Sequence, residues 1–134
     1  MNQAMVLCYN MEGERANQVR ALAESLNIQP FLVPREAYLQ KIGALCGLAE
    51  PTTEAYQGDG FEGEMMLMAF FEKGLLTKFL DGFRERGMPP VPLKAMLTEK
   101  NSQWNSMALQ AELLDEYERF KMLHQMTKKA KSER

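Results

Sequence analysis

The stretch Glu64 to Leu97, EMMLMAFFEKGLLTKFLDGFRERGMPPVPLKAML, contains a complete strand–helix–strand unit. Met65 through Phe71 run without a polar break, the pattern of a strand covered on both faces. Leu76, Phe79, Leu80 and Phe83 then recur at spacings of three and four, which makes one apolar stripe on a helix able to lie on that strand. Gly87 supplies a left-handed stop, and Pro89 and Pro90 forbid a further turn. The run from Val91 to Leu97 is strand-like, but Pro92 cannot donate to a ladder, so this second strand belongs at a sheet edge.

The beginning of the chain repeats the pattern. Ala4 to Tyr9 is a second unbroken apolar run, followed by a helical stripe at Val19, Leu22, Ala23 and Leu26, with Asn10 placed to cap its start. Ile28 to Val33, bracketed by Pro30 and Pro34, reads as another edge strand. Tyr38, Leu39, Ile42 and Leu45 describe a short helix stopped by Gly47. The two halves align at a constant offset of 61: Met5–Tyr9 over Met66–Phe70, Leu22 over Phe83, and Phe31-Leu32 over Pro92-Leu93. The expected fold is therefore α/β, a tandem βαβα in one domain over residues 1–134. Its four-stranded sheet has strands 1 and 3 central, with helices on both faces. A ferredoxin-like arrangement with antiparallel halves is the alternative.

The pseudo-repeat halves are residues 4–47 and 65–123. Between them, residues 48–63 are acidic and glycine-rich and read as a solvated, mobile connector. A last helix begins near Asn105 or Ser106, with Leu109, Leu113, Leu114, Tyr117 and Phe120 on its apolar side. Acids at Glu112, Asp115, Glu116 and Glu118 precede Lys121, Lys128, Lys129 and Lys131, an order that complements the helix dipole. Beyond Leu123 the stripe fades, which predicts fraying along a basic tail over residues 124–134.

Composition narrows the function classes. The chain has 134 residues, 46% hydrophobic and 25% charged, as in ordinary globular proteins, and a formal charge of -2 gives no general attraction to nucleic acid or anionic membranes. Cys8, Cys46 and His124 are too few soft ligands for a zinc site, and both cysteines read as buried thiols. No segment approaches the roughly 18 apolar residues of a membrane span, and no basic-then-apolar leader opens the sequence, so a cytoplasmic protein is expected. Gly58 to Gly63 match G-x-G-x-x-G, but the match precedes a strand instead of following one, and Asp59 and Glu62 would repel a phosphate; no cofactor is assigned. The 11 methionines read as core packing. Cys8 has His124 as its only candidate base, so no catalytic residue and no metal ligand is assigned.

What remains is PLKAMLTEKNSQW, residues 92–104. Lys94 is the single charge in an apolar strand, and Thr98, Asn101 and Trp104 follow where that strand ends, the region where α/β sheets bind ligands. Lys94, Thr98, Asn101 and Trp104 are thus the candidate ligand-binding residues. A structural account competes: an edge lysine blocks unwanted pairing, Asn101 caps a turn, and Trp104 staples the last helix. The pattern P-L-K-A-x-L-T-x-x-N-x-x-W resembles the core motif of a family of small bacterial proteins, domain-of-unknown-function family 3783, over residues 64–120. Asn105 stands where that family commonly has threonine as a helix cap. The resemblance implies a bacterial cytosolic protein and carries no known activity, cofactor or partner. The expected function is a non-catalytic module binding a small molecule or a protein. The alternatives are a small enzyme with its site around Lys94, and a homo-oligomer subunit that dimerises through an edge strand or a Met-rich surface.

Overall fold

The computed structural model describes residues 2–132, with side chains as far as Lys128. Its elements are β1 (Met5–Tyr9), α1 (Gly13–Ser25), β2 (Gln29–Leu32), a short α2 (Ile42–Leu45), β3 (Met65–Ala69), α3 (Leu75–Glu85), β4 (Leu93–Met96) and α4 (Ser106–Ser132). They form one sheet in the order β2-β1-β3-β4, so the two unbroken apolar strands are central and the two proline-marked strands are at the edges. Pairing is parallel within each half and antiparallel between β1 and β3. Each crossover joins neighbouring strands, whereas a ferredoxin-like crossover skips one, so the antiparallel halves do not make that fold.

Leu7 pairs with Leu67, Met5 with Ala69 and Tyr9 with Met65, which puts a pseudo-two-fold axis between Leu7 and Leu67. The central strands are therefore equivalent at an offset of 60, not 61. Asn10 and Phe70, one residue past each strand, share left-handed φ values of 62° and 64°. In the outer strands Leu7 faces Phe31 and Leu67 faces Ala95, an offset of 64. The link from α1 to β2 spans residues 26–28 and that from α3 to β4 spans 86–92, so the proline-rich second link inserts the difference. Both helices nevertheless stop in the same way. The amides of Asn27 and Ile28 return to Glu24 and Ala23, and those of Gly87 and Met88 return to Arg84 and Phe83. Asn27 and Gly87 hold the left-handed position of this motif, at φ 60° and 68°.

The edge prolines cost no sheet hydrogen bond. The Gln29 and Val33 amides donate inward to Ala4 and Cys8, so Pro30 lies in the alternate phase, its ring nitrogen turned away from β1. Alternation also divides the core. Val6, Cys8, Met66 and Met68 meet Val19, Leu22, Phe79 and Phe83 of α1 and α3 on one face. Leu7, Tyr9, Met65 and Leu67 meet Tyr38, Ile42 and Leu109 on the other, under α2 and α4. Gly82 lets α3 approach α1 closely: a Cβ there would lie 2.5 Å from Leu22 Cδ1.

Four local expectations are corrected. Asn10 does not cap α1, whose preceding residue Glu12 makes no side-chain cap either. Its Nδ2 instead donates to the carbonyls of Phe61 at 2.6 Å and Gly63 at 2.9 Å. These bonds tie down the connector expected to be mobile. Phe61 stacks on Tyr38 with ring centroids 5.1 Å apart and touches Tyr9, and the Tyr56 amide donates to Glu36. Two aromatics in an otherwise polar segment supply the apolar area that holds it. The short helix expected from Tyr38 shrinks to α2, preceded by a 3-10 turn at Arg35–Ala37. Helix α4 does not fray at Leu123 but continues to Ser132; residues 133 and 134 of the basic tail, and the side chains of Lys129 and Lys131, lie outside the described residues. Among the described residues no helix is long and apolar enough to cross a membrane.

Candidate functional site

The chain leaves β4 through a turn that Asn101 closes. The Thr98 amide donates to Asn101 Oδ1 at 2.8 Å, the Asn101 amide donates back to Thr98 Oγ1 at 3.0 Å, and Asn101 Nδ2 donates to the Met96 carbonyl at 3.0 Å. Asn101 is buried, so these bonds supply the partners its amide would otherwise lack. After the 3-10 turn Asn101–Gln103, Trp104 accepts from the Ile42 amide at 2.7 Å, and the Ser106 amide donates to Tyr38. Asn105 Oδ1 then accepts from the Ala108 amide at 2.9 Å and caps α4. Ser106 Oγ lies 2.6 Å from the buried Tyr9 hydroxyl, which ties the start of α4 to β1. The segment from Leu93 to Ser106 is thus a joint holding β4, α4 and the residues around α2 together.

The structure brings Thr98 and Asn101 together and sets the other two candidate residues apart. Exposed Lys94 donates through Nζ to the Val91 carbonyl at 2.9 Å. It lines a groove of about 330 Å³ with Leu93, Leu113, Glu116, Tyr117 and Phe120. Thr98 borders a different crevice, about 490 Å³, with Phe70, Phe71, Met96 and Leu97. Trp104 is half-buried against the core cluster that includes Ile42 and Leu109, with Lys100 Nζ 5.9 Å from its ring centroid. The four polar groups do not converge on one cleft.

The pseudo-two-fold gives the Thr98 crevice a counterpart at the opposite end of the sheet. Cys8, Asn10, Glu12, Arg35 and Tyr38 line about 380 Å³ there, a polar surface where the other is apolar. Burial pushes the Cys8 thiol up to about 12 and the Cys46 thiol up to about 11, so both stay protonated at neutral pH. The one histidine, His124, is exposed on α4, away from the core cluster that buries Cys8.

A feature that reading by periodicity missed is the outer half of α4. At 27 residues α4 is about 40 Å long, whereas the four residues of β4 beneath it span about 13 Å. Leu109 is buried and Leu113 half-buried, but on the same face Tyr117 is 39%, Phe120 72% and Leu123 63% exposed. Met126 is exposed beside Leu123, and Met122 is exposed on the far side of the helix. The apolar stripe was legible in the sequence; comparing its length with that of the neighbouring strand would have shown that the sheet cannot cover it.

Fold and joint together define a pseudo-symmetric α/β domain with a helical arm. Residues 64–120, from the approach to β3 as far as Phe120 on that arm, match the model of the family described as Domain of unknown function (DUF3783). Neither the curated proteins nor the solved structures contain a match to the chain.

Proposed function

We propose that the protein is a non-catalytic protein-binding module whose contact element is the apolar face of α4 beyond Leu113. The carrying observation is that one stripe passes from Leu109, 1% exposed, to Phe120, 72% exposed, without changing face. Large apolar side chains displayed together on an arm are the usual mark of a docking surface. The enzyme alternative built on Lys94 is weaker, because that amine is exposed and donates to the Val91 carbonyl. A buried lysine facing polar groups would have favoured chemistry. The same reading puts the protein in the cytoplasm, where the unpaired, buried Cys8 and Cys46 remain thiols.

The test is a photo-crosslinking residue at position 120 in the full chain, irradiated in cells, with the same residue at exposed Glu24 as control. A discrete adduct specific to position 120, its second component identified by mass and then reconstituted from purified material, is the expected result. Equal, diffuse labelling at both positions overturns the reading.

A further inference from the structure

We infer that the polar crevice at the carboxyl ends of β1 and β2 is a binding site for a free α-amino acid. This site is separate from the α4 face and does not depend on it. β1 and β2 are adjacent and parallel, and the crevice of about 380 Å³ lies between the turn that follows β1 and the turn that follows β2. Small ligands of α/β sheets sit at this place, and the volume falls in the roughly 300–1,000 Å³ range of small-molecule sites.

The polar groups left without partners define the ligand. Tyr38 borders the crevice and is only 2% exposed, yet its hydroxyl makes no hydrogen bond among the described residues and is not sealed from solvent. Its ring is held by Tyr9 and Phe61, so the hydroxyl is fixed in place with a donor and an acceptor unused. Asn10 spends both amide hydrogens on the Phe61 and Gly63 carbonyls, which leaves Oδ1 a free acceptor. Glu12, Arg35 and Glu36 line the same crevice, and none of them forms an ion pair. Arg35 makes only a 3.5 Å bond from Nη1 to the Asp59 carbonyl. Opposite charges held apart in one crevice complement a ligand that carries both. The Arg35 guanidinium suits a carboxylate, while the two glutamates and Asn10 Oδ1 suit an ammonium group. Met11, Leu32 and Val33 add apolar lining for a side chain. Two acids against one base leave the crevice net negative, so neutral or basic amino acids are preferred to acidic ones. The crevice beside Thr98 has an apolar lining with Glu99 as its only charge, and lacks this complementarity.

Isothermal titration calorimetry of the full chain with the twenty free amino acids tests the site, with circular dichroism confirming that each variant is folded. A neutral or basic amino acid is expected to bind saturably, with a dissociation constant of about 1 mM or below. Its N-acetyl and C-amide derivatives, each lacking one charge, should bind at least about 10-fold more weakly. Tyr38→Phe keeps the stacked ring, removes only the hydroxyl and should weaken binding about 10-fold. Arg35→Gln, and Glu12→Gln with Glu36→Gln, should each weaken it at least about 10-fold, whereas Lys94→Ala should leave it unchanged. The absence of saturable binding by any amino acid at about 10 mM overturns the inference. So does a derivative that binds as well as its parent, or binding that survives both Tyr38→Phe and Arg35→Gln.

Discussion

Asn101→Ala separates a joint from a binding site. The substitution deletes the Oδ1 acceptor of the Thr98 amide and the Nδ2 donor to the Met96 carbonyl, at 2.8 and 3.0 Å. Each bond is worth about 1 kcal/mol net, and a partner left unsatisfied adds to that, so the loss should be about 2–3 kcal/mol. With a urea slope of about 1.5 kcal/mol per molar for a domain of this size, the unfolding midpoint falls by about 1.3–2 M at unchanged slope. Thr98→Val removes only the bond from the Asn101 amide to Oγ1 and should cost about 1 kcal/mol. Lys94→Ala, an exposed change, should stay within about 0.5 kcal/mol. Fluorescence of Trp104, the only tryptophan, follows all three unfolding curves from within the joint. An Asn101→Ala chain as stable as wild type, or one that keeps its stability yet loses a ligand's effect on Trp104 emission, would refute the joint and restore the site.

Other outcomes follow from the core. Cys8 and Cys46 have folded values raised by burial from 9.0 to about 12 and about 11, so their contribution is fully present below pH 9.0 and is lost as pH rises towards the folded values. The urea midpoint should therefore fall more steeply with alkaline pH in wild type than in Cys8→Ala/Cys46→Ala; parallel curves would count against burial as the cause. Gly82→Ala drives a Cβ to 2.5 Å from Leu22 Cδ1 and should destabilise by about 1–2 kcal/mol despite better helix propensity. In a Leu22→Ala background that cost should disappear, and strict additivity in the double-mutant cycle would show that α1 and α3 are not in contact there. Phe61→Ala removes the ring stacked on Tyr38 and should both destabilise by about 2–4 kcal/mol and open residues 48–63 to limited proteolysis. A connector no more cleavable than before would mean that the hydrogen bonds from Asn10 hold it unaided.

How much of this was legible in the sequence divides along the range of the interactions involved. Val6 to Tyr9 and Met65 to Ala69 announced their central places because an unbroken apolar run can only be satisfied with cover on both faces. Pro30 and Pro92 announced the edges because a missing amide is tolerated where no strand lies beyond. Gly87 announced the end of α3 because a left-handed residue is a local event, and the turn chemistry of Thr98, Asn101 and Asn105 was equally local. What the sequence lacked were facts about distance. The antiparallel meeting of the halves, and the shift from 60 to 64 between inner and outer strands, depend on how residues 86–92 fold against the other elements. Asn10 left the helix it could have capped because Phe61 and Gly63 offered two carbonyls that no local pattern encodes. The sequence likewise marked Lys94, Thr98, Asn101 and Trp104 as neighbours, and their side chains part only because β4 alternates and the turn after it closes on itself. Helix α4 shows the limit most plainly: periodicity determined which face of the helix is apolar, but only the tertiary structure, by ending the sheet at β4, decided that Phe120 and Leu123 on that face remain uncovered.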